Sequence, residues 1–333
     1  MAGKTPPEAL LQGIVLAAFL FVPAITGELG WLRTFIPLPA FYILVTSGDA
    51  RGSSILIKAV LAAGFGSILL GTLQAFFLSV LFLPLAYVLA RAVRNRHSVL
   101  RAGTTGALVL AAIWICGALL YGMVEQVHPY RQILETIDAS LAATFAMYQQ
   151  STDIEPDTLV QIELAFTRIR SIIPVIFPAI ILVTVLCAVW INLLLGDLLL
   201  KKKDAGLSPW QPNSQWRLPD QLVWAVIASG AVLLLPLPLL NKISLNCMLV
   251  LGLLYFFQGL AVLTSLFNRW DVPLAFRFVV YALVLIQAYG IIFLAIAGLL
   301  DVWLDLRKSQ NKTTWTVLLY AAFHLKEKVE TWN

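Results

Sequence analysis

The chain has 333 residues, 60% of them hydrophobic and only 12% charged, about half the charge that a soluble domain carries. Its formal net charge of +5 comes from short basic clusters between apolar runs, a pattern that sets membrane topology and gives no sign of a nucleic-acid partner. Apolar runs of about 20 residues recur along the chain, enough to cross ~30 Å of hydrocarbon as helices. They are continuous, not alternating, which excludes a β-barrel.

The fold class is therefore all-α, a polytopic transmembrane bundle of about eight to ten spans. The first span covers residues 8–27, with one lysine before it and no small-residue cleavage site, so it is read as retained. The second runs over 31–47 and stops at Gly48-Asp49. Residues 53–92 are too long for one crossing at 1.5 Å per residue and divide near Gly71 into a third and a fourth span. The fifth is 103–125 and the sixth 173–199. A seventh, 219–239, is ended by Pro236 and Pro238, which break the helical ladder. The eighth is 243–266. The last apolar run, 273–300, is either one long tilted span or a pair broken near Gly290. Four regions follow: a membrane bundle over 1–125, an outer hairpin over 126–172, a second bundle over 173–308, and an amphipathic tail over 309–333.

Charge suggests the orientation. Arg91, Arg94, Arg96 and Arg101 stand without acids, and Lys201, Lys202 and Lys203 follow the sixth span. Both clusters belong in the cytoplasm. Residues 125–163 carry Glu125, Glu135, Asp138, Asp153, Glu155, Asp157 and Glu163 and belong outside. The N-terminus is then cytoplasmic, in a bacterial inner (cytoplasmic) membrane. A broken final pair would also return Arg307, Lys308 and Lys312 to the cytoplasm.

The outer segment carries two helical stripes, Ile133/Ile137/Leu141/Phe145/Tyr148 and Leu159/Ile162/Phe166/Ile169/Ile173. They predict an extracytoplasmic amphipathic hairpin that lies on the membrane or caps the bundle, or else a lid over an outward pocket.

Small residues recur at four-residue spacing, Ala9/Gly13/Ala17 in the first span and Ala59/Ala63/Ser67/Gly71/Ala75/Ser79 beyond it. This spacing lets helix backbones approach closely. It serves either packing within the bundle or docking of another membrane subunit. Buried amides stand at Asn192, Asn246, Gln258 and Gln287, and each needs a partner, because an unpaired amide in hydrocarbon is costly. Gly259, next to Gln258, would admit a close neighbouring helix. Asp301 and Asp305 stand at i and i+4 with Arg307 beyond, and predict an ion-pair cluster or a partner contact. Trp210, Trp216, Trp224, Trp303 and Trp315 read as interfacial anchors.

Catalytic and metal signatures are missing. His97, His128 and His324 have no ligand spacing, Cys116, Cys187 and Cys247 read as small packers, and there is no HExxH, P-loop or GxSxG. Neither an enzyme nor a cofactor or metal is expected. The scarcity of intramembrane acids argues against an autonomous ion-coupled pump.

Three stretches, WRLPDQLVW at 216–224, LNCMLVLGLLYFFQGLAV at 245–262 and GLLDVWLDLR at 298–307, together with Pro174 and Asn192, resemble the bacterial polytopic membrane-protein family typified by YybS, a domain-of-unknown-function family. That family is in turn distantly similar to the substrate-capture (S) components of energy-coupling-factor importers and to the cell-shape protein MreD. The importer likeness implies a non-catalytic subunit that binds a small solute and docks onto a coupling membrane subunit. On that reading Asn192, Asn246, Tyr255 and Gln258 are solute contacts, and Ala9, Gly13, Ala17, Ala59, Ala63, Ser67 and Gly71 are docking positions. The alternative is a scaffold recruiting cell-envelope or cell-shape machinery, with the basic loop and Asp301/Asp305/Arg307 as its contact surface. A lipid-modifying enzyme is a third reading, for which no residues present themselves.

Overall fold

The computed structural model describes residues 6–150 and 155–307. Lys308, Lys312, Trp315, His324, the tail over 309–333 and Asp153 lie outside them. Within the described residues the structure is helical, without strands. Seven segments are long and apolar enough to cross a membrane, or eight if one bent helix pair counts as a span. The chain divides into two compact units, one of residues 1–212 and 226–250, the other of 213–225 and 251–333. This division differs from the one read off the sequence, because residues 213–225 associate with the C-terminal helices and 226–250 with the N-terminal ones.

The first unit begins with α1 (Pro6–Ile25), a 3-10 segment (Gly27–Phe35) and α2 (Pro37–Ser47). Next come α3 (Asp49–Leu69), α4 (Leu73–Val80), α5 (Leu83–Arg94) and α6 (Val99–Glu125). The break near Gly71 is real: this residue sits at φ +68°, left-handed backbone that glycine alone adopts without strain.

Ala59, Ala63 and Ser67 are buried, with Ala17 packed against the same core, and Gly13 would meet Ile55 of α3 if it carried a Cβ. The small-residue stripe is therefore spent on packing inside this unit. Gly71 serves as a turn. Outward-facing leucines and phenylalanines such as Leu61 and Phe65 are exposed. That is the expected state for a lipid-facing surface, since hydrocarbon tails are as apolar as the side chains.

The outer segment differs from expectation. After α7 (Pro129–Gln149), the second stripe is not a separate surface helix. It is the start of α8 (Pro156–Lys203), 48 residues without a break, or about 72 Å long at 1.5 Å per residue. That is more than twice the hydrocarbon thickness. The two helices face each other through Phe145 and Phe166, with ring centroids 5.8 Å apart, and through the Arg170–Asp138 ion pair at 3.1 Å. Lys201, Lys202 and Lys203 close α8 in its last turn, where cations complement the helix dipole. Beyond them Trp210 is buried, not a lipid anchor. Its ring stacks on Phe41 at 6.3 Å, and its indole N–H donates to the His97 carbonyl at 3.0 Å. Trp224 and Trp303 are exposed, as anchors should be.

The seventh span is shorter than predicted. Its helix, α9 (Leu222–Leu233), has 12 residues, about 18 Å. The chain nevertheless travels the membrane's height here. Trp210 lies at the Lys201–Lys203 end of α8, while Asn246 meets α8 at Val175 and Ala179, about 33 Å away along that helix.

The second unit contains the C-terminal part of α10 (Pro238–Arg269), α11 (Leu274–Ile286) and α12 (Ala288–Leu304). The last apolar run is thus a broken pair. Its break falls at Gln287, and the axes turn by 105°. α11 is pinned to the end of α10 by Arg277, which donates to the Asn268 side chain at 2.6 Å and the Val272 carbonyl at 2.8 Å. The Thr264 and Tyr281 hydroxyls meet at 2.8 Å. α12 then returns, so that Asp305 and Arg307 line one concavity with Ser265. Both ends of the pair lie at the C-terminal end of α10, the geometry of a re-entrant hairpin.

Candidate functional site

The three amides and the phenol predicted as ligand contacts are divided between the two units. Asn192 and Asn246 belong to the first unit, Tyr255 and Gln258 to the second. Asn192 is buried and donates to the Thr34 and Ala188 carbonyls, both at 2.7 Å. It ties the 3-10 segment to α8.

Asn246 has a sharper role. Pro174 and Pro178 lie inside α8, and Pro178 has no N–H to offer the Pro174 carbonyl. Tyr130 supplies that bond from its hydroxyl, at 3.2 Å. One residue on, the Asn246 amide accepts from the Ala179 N–H at 2.8 Å and donates to the Val175 carbonyl at 2.7 Å. These are the two groups that would otherwise close a helical turn with each other. The side chain of α10 is thus spliced into the ladder of α8, which fastens the two helices. Asn246→Leu is expected to lower stability by about 1 kcal/mol, since the freed groups can pair with each other. Thermal denaturation in mild detergent checks this, and the variant should still fold.

The second unit holds the polar cluster, and it joins the three stretches singled out in the sequence. Gln258 is 2% exposed and lies in the apolar run of α10. Its carbonyl accepts from the Leu218 N–H at 3.1 Å, and its N–H donates to the Asp301 carboxylate at 3.2 Å. Asp301, 1% exposed, pairs at 3.0 Å with the Arg307 Nη2. Arg307 Nη1 donates to the carbonyls of Trp216 at 2.6 Å and Ser214 at 3.2 Å. Burial pulls the Arg307 guanidinium below its ordinary pKa, with Asp301 as the main opposing influence.

Asp301 and Asp305 do not stack one above the other. α12 ends at Leu304, and Asp305 takes left-handed backbone at φ +45°. Its carboxylate therefore leaves the helix line and pairs with Arg217.

Close backbone approach makes the cluster possible. A Cβ on Gly259 would overlap the Leu294 carbonyl oxygen, and one on Gly298 would overlap the Tyr255 carbonyl oxygen. α12 thus occupies the place that Gly259 was expected to leave for a neighbour, and this brings Asp301 within reach of Gln258.

Beside the cluster lies an open concavity of about 440 Å³ lined by Ser214, Gln215, Arg217, Ser265, Asp305 and Arg307. Sequence reasoning missed Arg217 and Ser265. The signal available was Arg217 itself, the one charge before the proline in WRLPDQLVW. Beside the concavity-lining residues, Arg307 Nε, Asp301 Oδ1 and the Trp216 indole nitrogen are buried without a hydrogen-bond partner, as is the Tyr255 hydroxyl elsewhere in this unit. Among the described residues, no three His, Cys, Asp or Glu side chains are grouped so as to hold a metal ion.

No curated protein and no solved structure matches the chain. A family model described as "Predicted membrane protein (DUF2232)" matches residues 11–302, a stretch that takes in all of α2 to α11, most of α12 and the cluster as far as Asp301. The chain belongs to that predicted membrane-protein family.

Proposed function

We propose that the protein is a non-catalytic integral membrane subunit that binds a small polar ligand in the concavity of its second unit, in the manner of an importer capture component. The observation that carries this reading is the lining itself, a set of arginine, serine and amide groups held at a membrane-spanning helix with unsatisfied buried donors beside it. Interior polar groups without partners are rare in folded proteins, and a bound molecule would pair them. Asn192 and Asn246 are replaced as ligand contacts by Arg217, Ser265 and Arg307, because both asparagines are committed to holding helices together.

Two of the residues named for the scaffold reading are buried. The Asp301 side chain is 0% exposed and that of Arg307 8%, so neither reaches a flat partner.

The test is mass spectrometry of small molecules and proteins retained on the chain purified in native lipid, beside Arg217→Gln. A small molecule held by the wild type and lost from the variant supports ligand binding. Paired ATPases with a coupling subunit would add the importer assignment. Retention of envelope proteins alone, unchanged by the substitution, would favour the scaffold and overturn the ligand reading.

A further inference from the structure

We infer that the concavity of the second unit is an oxyanion site, taking a phosphate-type group carried either by a free solute or by a lipid headgroup. This rests on the proposed function only in treating the concavity as a binding site. Its lining carries two guanidinium groups, Arg217 and Arg307, and one carboxylate, Asp305, with Asp301 standing behind Arg307 as its buried counter-ion. Donors dominate it. Each guanidinium offers five N–H groups in a planar fork that matches an oxyanion in bidentate fashion, and Ser214 and Ser265 add hydroxyls.

Arg307 is set for such a role. Its Nη1 is consumed by two backbone carbonyls, which fix the plane of the guanidinium. On the opposite edge Nη2 pairs with the Asp301 carboxylate at 3.0 Å, and Nε is buried without a hydrogen-bond partner. Nε is the donor left for an oxyanion. The Arg307 side chain is 8% exposed, so an anion reaching it would be largely desolvated and its attraction less screened. Arg217, at 45% exposed, forms the outer jaw, held back by Asp305. A ligand anion takes the place that Asp305 now occupies on Arg217.

Position supports a phosphate from either source. Ser265 lies four residues before Arg269, which ends α10 just before Trp270 and Asp271. The concavity thus sits where hydrocarbon gives way to headgroups and water. A cation is disfavoured by the lining, which offers one carboxylate and no histidine or cysteine.

The test uses the intact chain in phosphatidylcholine nanodiscs, titrated with inorganic phosphate, and separately in nanodiscs containing phosphatidylglycerol without phosphate. The thermal midpoint reports binding. Asp305→Asn raises the lining charge and Arg217→Gln lowers it. Both alter the more exposed pair, whose loss costs the fold little. The expected result is roughly tenfold tighter binding for Asp305→Asn and roughly tenfold weaker for Arg217→Gln. A purely structural ion pair predicts the same direction for both variants.

Opposite shifts with phosphate identify a free oxyanion. Opposite shifts only with phosphatidylglycerol identify a headgroup, and the oxyanion site then stands while solute capture fails. No stabilisation by either, or shifts of the same sign, overturns the inference. A neutral molecule retained in the mass-spectrometric experiment would in that case leave the capture reading in place.

Discussion

Gly298→Ala is expected to unfold or loosen the second unit, with a loss of at least ~3 kcal/mol. Overpacking a core ordinarily costs ~1–3 kcal/mol because side chains can shift. Here the added Cβ would fall on the Tyr255 carbonyl oxygen and beside the Gly259 N–H, so backbone must move. Separating α10 from α12 would also draw Asp301 away from Gln258 and break the hydrogen bond between them. Gly252→Ala is the control. It lies on α10, one of the two helices concerned, yet its Cβ would have nothing within 4 Å, and alanine is the better helix former by about 1 kcal/mol in water. Denaturant titration of both variants in mild detergent should show a large loss for Gly298→Ala and little change for Gly252→Ala. Equal behaviour would mean that the close approach of α10 and α12 is not what holds this unit together.

Arg307→Met is expected to cost ~3–5 kcal/mol, the usual penalty for breaking a buried pair by removing one member. Two losses combine. Asp301, with a fully buried side chain, would be left without its counter-ion. The carbonyls of Ser214 and Trp216 would lose their donor, freeing the segment that leads into α9. Arg217→Met bears on the exposed pair instead, where ion pairs contribute ~0–1 kcal/mol. The contrast between the two arginines measures how much of the cluster's stability rests on the buried pair.

The spans were legible because hydrocarbon demands long apolar runs, and seven of them reappear as helices or joined helices. What was not legible depended on partners distant in the chain. The outer hairpin was expected to end at 172 and the sixth span to begin at 173, yet α8 runs straight through that boundary and through Pro174. The groups that the prolines leave open are taken up by Tyr130, 44 residues before Pro174, and by Asn246, 67 residues after Ala179. No local pattern announces such help. Gln258 was legible as an oddity in an apolar run. Its partners were not, because Leu218 and Asp301 lie 40 and 43 residues away on either side. Asp305 misled for a local reason: the i, i+4 spacing assumed a helix that had already ended, and an aspartate tolerates the left-handed cap. The three stretches singled out in the sequence do meet in one cluster, through Leu218, Gln258 and Asp301.

The measurement that bears most directly on that cluster is a double-mutant cycle between Asp301 and Arg307. Unfolding free energies are compared for Arg307→Met, Asp301→Asn and the double variant in the same detergent. The amide introduced by Asp301→Asn can still accept from Gln258 and carries no charge, so the double variant leaves no buried ion uncompensated. A coupled buried pair predicts that the double variant recovers ~2 kcal/mol or more relative to Arg307→Met alone. Losses that simply add would contradict it, and would mean that Asp301 and Arg307 act on the fold independently.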